Sequence, residues 1–253
     1  MNTKLIIGLF IFIFASLVGS CVTHILFPSE KKVIKKNINP PVYHGIDVSR
    51  HQGEIDWKKV AKDKNIQFVY IKATEGATFV DKSYKRNIEG AKKYGLKVGS
   101  YHYLRNTSSI KKQFKNFTST VDKDLQDLIP MVDVEERVDK DSIRLFCNLI
   151  KELYGKDPMI YGTNSSYNKY CAPEFNNYYK LIGRYGEIPP VIKGKGHYNI
   201  WQYSENGKIP GIPKPVDLDR FHPDFKLPMI LLNEPETGNK QIKDKNLSKN
   251  KNR

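Results

Sequence analysis

The sequence predicts an α/β fold with a largely parallel β-sheet. From Tyr43 onward, short apolar segments of strand length alternate with longer segments of helical periodicity, the pattern of β-α-β units. The length of 253 residues suits one domain of barrel size with extensions better than two compact domains. Polar and aromatic residues also recur where the apolar segments end, at the edge where parallel α/β folds build their sites.

The strands and helices follow from local patterns. Strands are expected at 43–48, 67–73, 97–104, 129–135 and 158–162, then at 179–185 and 198–203, with a turn around Asp217. Helices are expected at 56–62, 87–94, 109–120 and 141–154. Asp56 is the predicted N-cap of the first helix, and Gly95 is the predicted C-cap of the second. The alternation of strand and helix is what a parallel sheet requires.

One apolar strand, Ile129 to Glu135, ends in two carboxylates. Side chains alternate along a strand, so Asp133 and Glu135 project from one face, roughly 7 Å apart at their bases. Glycosidases use two acidic groups about 5 to 9.5 Å apart, one of which protonates the leaving oxygen. The alternative is a solvated strand end, since acids are common where strands meet loops.

Polar and aromatic side chains cluster at the C-terminal ends of the predicted strands. They are Asp47, Lys72, Tyr103, Asp133, Glu135, Tyr161, Arg184, Trp201 and Gln202. Singly, each has a structural explanation: Asp47 could cap a turn, and Tyr161 and Trp201 could be core aromatics. Together, they predict an active site at one edge of the sheet.

The net charge of +15 is partly located in the ends of the chain. Residues 30–36 contribute +3, residues 238–253 contribute +5 and Lys4 adds one, which leaves +6 for the remainder. Nucleic-acid binding is therefore not predicted, whereas an anionic cell wall or membrane face suits a basic surface. The sequence has no zinc-type Cys/His spacing, phosphate loop or dinucleotide fingerprint, so we expect neither a metal nor a cofactor.

The three cysteines, Cys21, Cys147 and Cys171, are too few for a disulfide framework. A bridge between Cys147 and Cys171 is one alternative. A small buried thiol is the favoured interpretation for Cys147, which lies in an apolar helical pattern.

The N-terminal residues 1–27 are predicted to be a signal sequence or transmembrane anchor, since Leu5 to Val22 is uncharged. Lipidation of Cys21 ranks second, and plain cleavage ranks third. Residues 28–41 are predicted to form a basic tether. By the positive-inside rule, their four lysines would favour a cytoplasmic location for the rest of the chain, in conflict with the exported location expected from function.

Several motifs carry a family resemblance. GIDVSRHQGEIDW (45–57), FVYIKATEG (68–76), VGSYHY (98–103), PMVDVE (130–135), and NIWQYS (199–204) with VDLDRF (216–221) resemble glycoside hydrolase family 25, the Chalaropsis-type lysozymes. The resemblance implies a modified, incomplete TIM-like β/α barrel over 42–229. It also implies cleavage of the β-1,4 bond between N-acetylmuramic acid and N-acetylglucosamine in peptidoglycan, by an exported, membrane-anchored or secreted protein, here expected to be a monomer.

Residue roles are implied by matching these motifs. Glu135 is implied as general acid, Asp133 as its partner, and Asp47 and Asp217 as further carboxylates. The substrate's acetamido group is implied as the nucleophile, oriented by Asp133, in preference to a covalent aspartyl intermediate. Expected sugar contacts are Lys72, Glu75, Tyr103, Tyr161, Arg184, Trp201 and Gln202.

Two residues depart from the family pattern. Leu181 stands near a usual Trp and puts one wall of the sugar groove in question, while Asp219 stands where Asn is frequent and adds a carboxylate. The alternatives to a muramidase are a non-catalytic peptidoglycan-binding protein and a hydrolase of chitin. Beyond Phe225 the apolar segment to Leu232 is predicted to pack back on the barrel, and 230–253 is expected as a basic, disordered tail.

Overall fold

A computed structural model describes residues 42–233. The N-terminal segment, the tether, Cys21 and the tail after residue 233 lie outside the described residues. No helix in the described range is long and apolar enough to cross a membrane.

Eight strands close into a barrel, and a ninth short strand extends one of them. The strands are β1 Gly45–Val48, β2 Phe68–Glu75, β3 Phe79–Val80, β4 Lys97–Tyr103, β5 Met131–Asp133, β6 Met159–Thr163, β7 Lys180–Gly183, β8 Ile200–Gly207 and β9 Val216–Phe221. The order around the barrel is β1-β9-β8-β7-β6-β5-β4-β2, with β1 pairing β2 to close it. The predicted TIM-like barrel is confirmed.

The barrel is mixed rather than purely parallel. All neighbours from β1 through β2 and β4 to β8 run parallel, whereas β9 is antiparallel to both β8 and β1. The expected turn around Asp217 is therefore wrong: Asp217 lies inside β9. The sequence patterns also did not predict the hairpin formed by β2 and β3.

Among the described residues, four α-helices of four or more residues pack around the barrel: α1 Trp57–Val60, α2 Tyr84–Lys93, α3 Ile110–Thr120 and α4 Lys140–Tyr154. The sequence shows why α4 has these bounds. Asp139 accepts a hydrogen bond from the Ser142 amide at the N-terminus, and Gly155 adopts a left-handed φ of 76° at the C-terminus. No helix lies between β7 and β8, which is the sense in which the barrel is incomplete.

Apolar residues form two cores. The first packs the helices on the outside of the barrel and includes Cys147 and Cys171, which are buried free thiols. The buried-thiol interpretation of Cys147 is thus confirmed. The second fills the barrel interior with side chains such as Phe68, Tyr70 and Leu181.

The C-terminal segment closes the lower end of the barrel. Leu227–Ile230 forms a 3-10 helix, and Ile230 is fully buried in the interior core. The amide of Ile129 donates to the carbonyl of Ile230 over 2.8 Å, and Leu231 bridges Leu128. The prediction that this segment packs back on the barrel is confirmed, and the expectation that the disordered tail begins at 230 is wrong for Ile230 to Leu232.

Candidate active site

The barrel mouth is the edge formed by the C-terminal ends of the parallel strands, and it gathers carboxylates from opposite sides. Asp133 ends β5 in register with Tyr103 of β4 and Tyr161 of β6. On the other side, Asp47 of β1 lies in register with Asp217 of β9. Closure of the barrel by β9 is what brings residues separated by most of the chain into one site.

Asp133 and Glu135 occupy different environments. Asp133 is only 5% exposed, and burial, followed by the like charge of Glu135, raises its pKa well above the usual range. Glu135 lies past the end of the strand and is exposed at the rim, yet partial burial of its carboxyl group raises its pKa, against the opposing effect of Lys72. The pair therefore has one enclosed member and one accessible member.

A hydrogen-bonded chain crosses the mouth between the two sides. Tyr161 donates from its hydroxyl group to Gln202 Oε1 over 2.9 Å, and Gln202 Nε2 donates to Asp47 Oδ2 over 2.6 Å. The charges of Asp133 and Glu135 act on the Tyr161 hydroxyl group. The hydrogen-bonded chain therefore connects Asp47 on one side of the mouth with a hydroxyl group near Asp133 and Glu135 on the other.

The carboxyl group of Asp47 is strongly biased toward its neutral form. Burial, then the charges of Asp217 and Asp219, raise the pKa of Asp47 well above the usual range. Burial and Glu205 raise the pKa of Asp217 to about 6, while a hydrogen bond with Asp47 opposes that rise.

Lys72 and Glu75 form one wall of the mouth. Lys72 Nζ lies 2.7 Å from Glu75 Oε2 and 5.0 Å from the centre of the Tyr103 ring. Its charge also acts on Asp133 and Glu135. This ion pair can therefore bind polar sugar groups while it limits the rise in the pKa of both acids.

The family model described as glycosyl hydrolases family 25 matches residues 46–212. The chain belongs to glycosyl hydrolase family 25. The match begins in β1 and includes Asp47, Asp133 and Glu135, and β9 with Asp217 lies after it.

Individual relatives agree with this membership. The autolytic lysozyme of Clostridium acetobutylicum is 34% identical over 183 residues, which is 70% of this chain and 55% of that protein. The YegX protein of Escherichia coli K12 is 36% identical over 189 residues, 71% of this chain and 69% of that protein. A family 25 glycosyl hydrolase from Bacillus anthracis superposes with a TM-score of 0.66 at 30% identity, over 73% of this chain and 91% of that chain. This family 25 protein is accordingly a glycoside hydrolase of the lysozyme type.

Two residues expected to bind sugar lie elsewhere in this hydrolase. Trp201 alternates with Gln202 on β8 and so points to the outer face, where it is 2% exposed and lies beneath the guanidinium of Arg220 at 4.5 Å. Its indole Nε1 donates to the carbonyl of Arg184 over 2.6 Å. The stacking role expected for Trp201 is therefore corrected to that of an anchor for the loop after β7.

Arg184 likewise serves that loop. Its guanidinium donates to the carbonyl of Pro189 over 2.9 Å and to Asn164 Oδ1 at 3.3 Å. Asn164 in turn donates to the carbonyl of Val191 over 2.7 Å. These contacts fix the loop from 184 to 199 rather than direct Arg184 toward a sugar.

Tyr185 lies just after β7, near the carboxylates of the barrel mouth, and the motifs did not single it out. It is 51% exposed, and burial followed by the charges of Asp217, Glu205, Asp47 and Glu135 raises the pKa of its hydroxyl group. Its exposed ring offers a flat apolar surface near these carboxylates. Its position just after β7, at the strand-end edge, was the available signal.

The two departures from the family pattern, Leu181 and Asp219, lie inside the barrel. Leu181 is fully buried in the interior core and does not line a groove. The expectation that it affects one wall of the sugar groove is therefore wrong. Asp219 is fully buried as well, one layer beneath Asp217. Within residues 42–233, no group of three or more His, Cys, Asp or Glu side chains is arranged to hold a metal ion.

Proposed function

We propose that this hydrolase cleaves the β-1,4 bond between N-acetylmuramic acid and N-acetylglucosamine in peptidoglycan, with Glu135 as the general acid. The observation that carries the proposal is the pairing of an accessible acid with an enclosed one at the barrel mouth. A general acid must reach the leaving oxygen and hold a proton near the working pH. Glu135 is exposed, and partial burial of its carboxyl group raises its pKa, which is the direction that a general acid requires.

Asp133 is the partner of this acid. Because its carboxyl group is enclosed and biased toward the neutral form, it suits hydrogen bonding to the substrate's acetamido group better than direct attack on the anomeric carbon. The proton of Glu135 passes to the glycosidic oxygen, the bond from that oxygen to the anomeric carbon breaks, and the acetamido oxygen bonds to that carbon. Water then opens the resulting ring, with Glu135 accepting its proton.

The opposite wall supplies electrostatic support. Asp217 lies across the mouth from Asp133, in register with Asp47. Because Asp47 favours its neutral form, Asp217 is the carboxyl group whose negative charge can stabilise the positive charge that develops on the sugar. Sugar contacts come from the groups that line the mouth: Lys72, Glu75, Tyr103, Tyr161, Tyr185 and Gln202.

The same proposal includes the domain boundaries, the cellular location and the oligomeric state of the protein. The catalytic domain spans 42–229 together with Ile230 to Leu232, which pack on the barrel. The protein is an exported, monomeric component of the cell envelope that acts on glycan strands. Residues 1–27 attach it to the membrane or direct its export, and 28–41 form the tether. The basic segment after residue 233 assists contact with anionic envelope polymers.

The test is release of muropeptides from purified peptidoglycan by the full chain in detergent, with the new reducing ends identified. Wild type should create reducing N-acetylmuramic acid ends, and Glu135→Gln should lower the rate by about 100-fold or more, as expected for removal of a general acid. Glu152→Gln makes the same chemical change on an exposed residue of α4 and should leave the rate unchanged.

Other outcomes distinguish the alternatives. Folded protein that sediments with the wall but releases nothing would indicate a non-catalytic binding protein. Faster cleavage of chitin oligomers than of wall fragments would indicate a chitin hydrolase, since only wall fragments carry the lactyl ether.

A further inference from the structure

Cationic side chains and aromatic rings alternate along the wall of the mouth above β1, β2 and β4. The guanidinium carbon of Arg50 lies 4.7 Å from the centre of the Phe79 ring, and Lys72 Nζ lies 5.7 Å from the same centre. On its other side, Lys72 Nζ lies 5.0 Å from the centre of the Tyr103 ring, and the guanidinium carbon of Arg105 lies 5.6 Å from that centre. These five side chains form a cation–aromatic ladder, in which each ring attracts two positive groups.

Two of the three cations in the ladder are paired with acids. Lys72 Nζ lies 2.7 Å from Glu75 Oε2, and Arg105 Nη1 lies 3.1 Å from Glu136 Oε2 and 3.7 Å from Glu75 Oε1. Arg50 is exposed, and among residues 42–233 its guanidinium has neither a carboxylate within ion-pair distance nor a hydrogen-bond partner. Since a guanidinium carries five N–H donors, Arg50 can bind an anion from outside the protein.

Hydrogen bonds hold the backbone that carries Arg50. The Arg50 amide donates to Oδ2 of the buried Asp81 over 2.9 Å. The preceding amide, that of Ser49, donates to Gln52 Oε1 over 2.9 Å, and Gln52 Nε2 donates to the carbonyl of Pro215 over 3.1 Å. With its backbone held and an aromatic ring against its guanidinium, Arg50 loses little conformational freedom when a ligand binds.

The ladder borders the acid pair of the mouth. Tyr103 of β4 lies in register with Asp133 of β5, so this end of the ladder adjoins the carboxylates. Lys72 belongs to β2, which runs parallel to β1, and Arg50 follows just after the C-terminal end of β1. A sugar bound beside Asp133 therefore has the ladder on one flank, and a substituent that extends along it toward β1 reaches Arg50.

We propose that Arg50 is a substrate-binding residue that binds a carboxylate carried by the muramyl unit, either on its lactyl group or on the attached stem peptide. This inference rests on the proposed function and adds a determinant of specificity to it, because chitin carries no such carboxylate. The planar guanidinium can form two parallel N–H···O bonds with a carboxylate, which a lysine at this position could not do.

The test compares the full chain in detergent with Arg50→Gln, which removes the positive charge. The substrates are peptide-bearing and peptide-free glycan fragments, each with free carboxyl groups and with those groups converted to methyl amides. Wild type should cleave the free-acid fragments with a kcat/KM about 10-fold above that for the amides, the effect of one hydrogen bond to a charged group. Arg50→Gln should lose this preference. Lys64→Gln removes an exposed positive charge before β2, at the other end of the barrel, and should retain it.

The substrate pairs also identify the carboxylate. Loss of the preference with peptide-free fragments would assign the lactyl carboxylate, and loss with peptide-bearing fragments alone would assign the stem peptide. A wild type that cleaves acid and amide forms equally, or a preference that Arg50→Gln retains, would overturn the proposal. If wild type cleaves no fragment, the proposed function fails by itself, while calorimetric binding of the same acid and amide fragments to both proteins still decides the role of Arg50.

Discussion

Gly183 of β7 lies directly beside the hydroxyl group of Tyr161. A Cβ atom at position 183 would stand 2.8 Å from Tyr161 Oη and 2.9 Å from Gln202 Oε1. These are the two atoms joined by the hydrogen bond in the chain that crosses the barrel mouth. The absence of a side chain at 183 is therefore a condition for that hydrogen bond.

Gly183→Ala should separate Tyr161 from Gln202 at little cost in stability, because the ends of two side chains can move. We expect kcat/KM to fall roughly 2- to 12-fold, which corresponds to one neutral hydrogen bond of about 0.5–1.5 kcal/mol. Steady-state kinetics measure the change. In a Tyr161→Phe background, the same substitution should add little, and full additivity would contradict the coupling.

Tyr185→Ala should weaken substrate binding without affecting folding. The ring is exposed beside the carboxylates, so its loss removes a stacking surface for sugar. We expect KM to rise about 10-fold, equivalent to about 1.4 kcal/mol, with kcat nearly unchanged. Tyr94→Ala removes a ring that is 40% exposed at the end of α2 and serves as the control. Equal KM values for both variants would refute the role of Tyr185.

The positions of polar residues at strand ends predicted much of the site, because these positions can be read from each short segment of sequence alone. Parallel strands bring their C-terminal ends to one edge, so Asp47, Lys72, Asp133 and Tyr161 could be grouped without knowledge of the helices. The acid pair was also visible as a two-residue spacing, although Glu135 lies beyond the last paired residue of β5.

The features that the sequence did not reveal depend on closure of the barrel. The register of β8 against β7 and β9 decides that Gln202, and not Trp201, points into the barrel. A sequence motif that contains both residues does not specify this register. Asp217 was expected in a turn because nothing local indicates that β9 pairs with β1. Tyr185 owes its place to a loop held by distant side chains such as Asn164.

Asp133→Asn should stabilise the fold while it removes activity. The pKa of Asp133 is raised in the folded state, so the folded protein binds more protons than the unfolded chain. Stability is consequently lost as pH rises from the unfolded value of about 3.9 toward the raised folded value. Asparagine avoids this loss.

The melting temperature of Asp133→Asn should therefore exceed that of wild type at pH 7, and the difference should shrink toward pH 4. Activity should fall by about 100-fold or more, as when an electrostatic group at a reaction centre is removed. Thermal unfolding at several pH values measures the first effect, with Asp124→Asn as the exposed control. A difference in melting temperature that is independent of pH would contradict the assignment to a buried carboxyl group.

Ile230→Ala tests the closure of the barrel from below. Ile230 is fully buried in the interior core, and its carbonyl group accepts from the amide of Ile129, two residues before the strand that carries Asp133 begins. Removing the side chain should lower the free energy of unfolding by about 2–5 kcal/mol through lost burial and a cavity. Met229→Ala changes a residue that is 43% exposed and should alter stability by about 0.5 kcal/mol or less. Chemical denaturation of both variants distinguishes them: similar values would mean that the segment after β9 does not support the barrel.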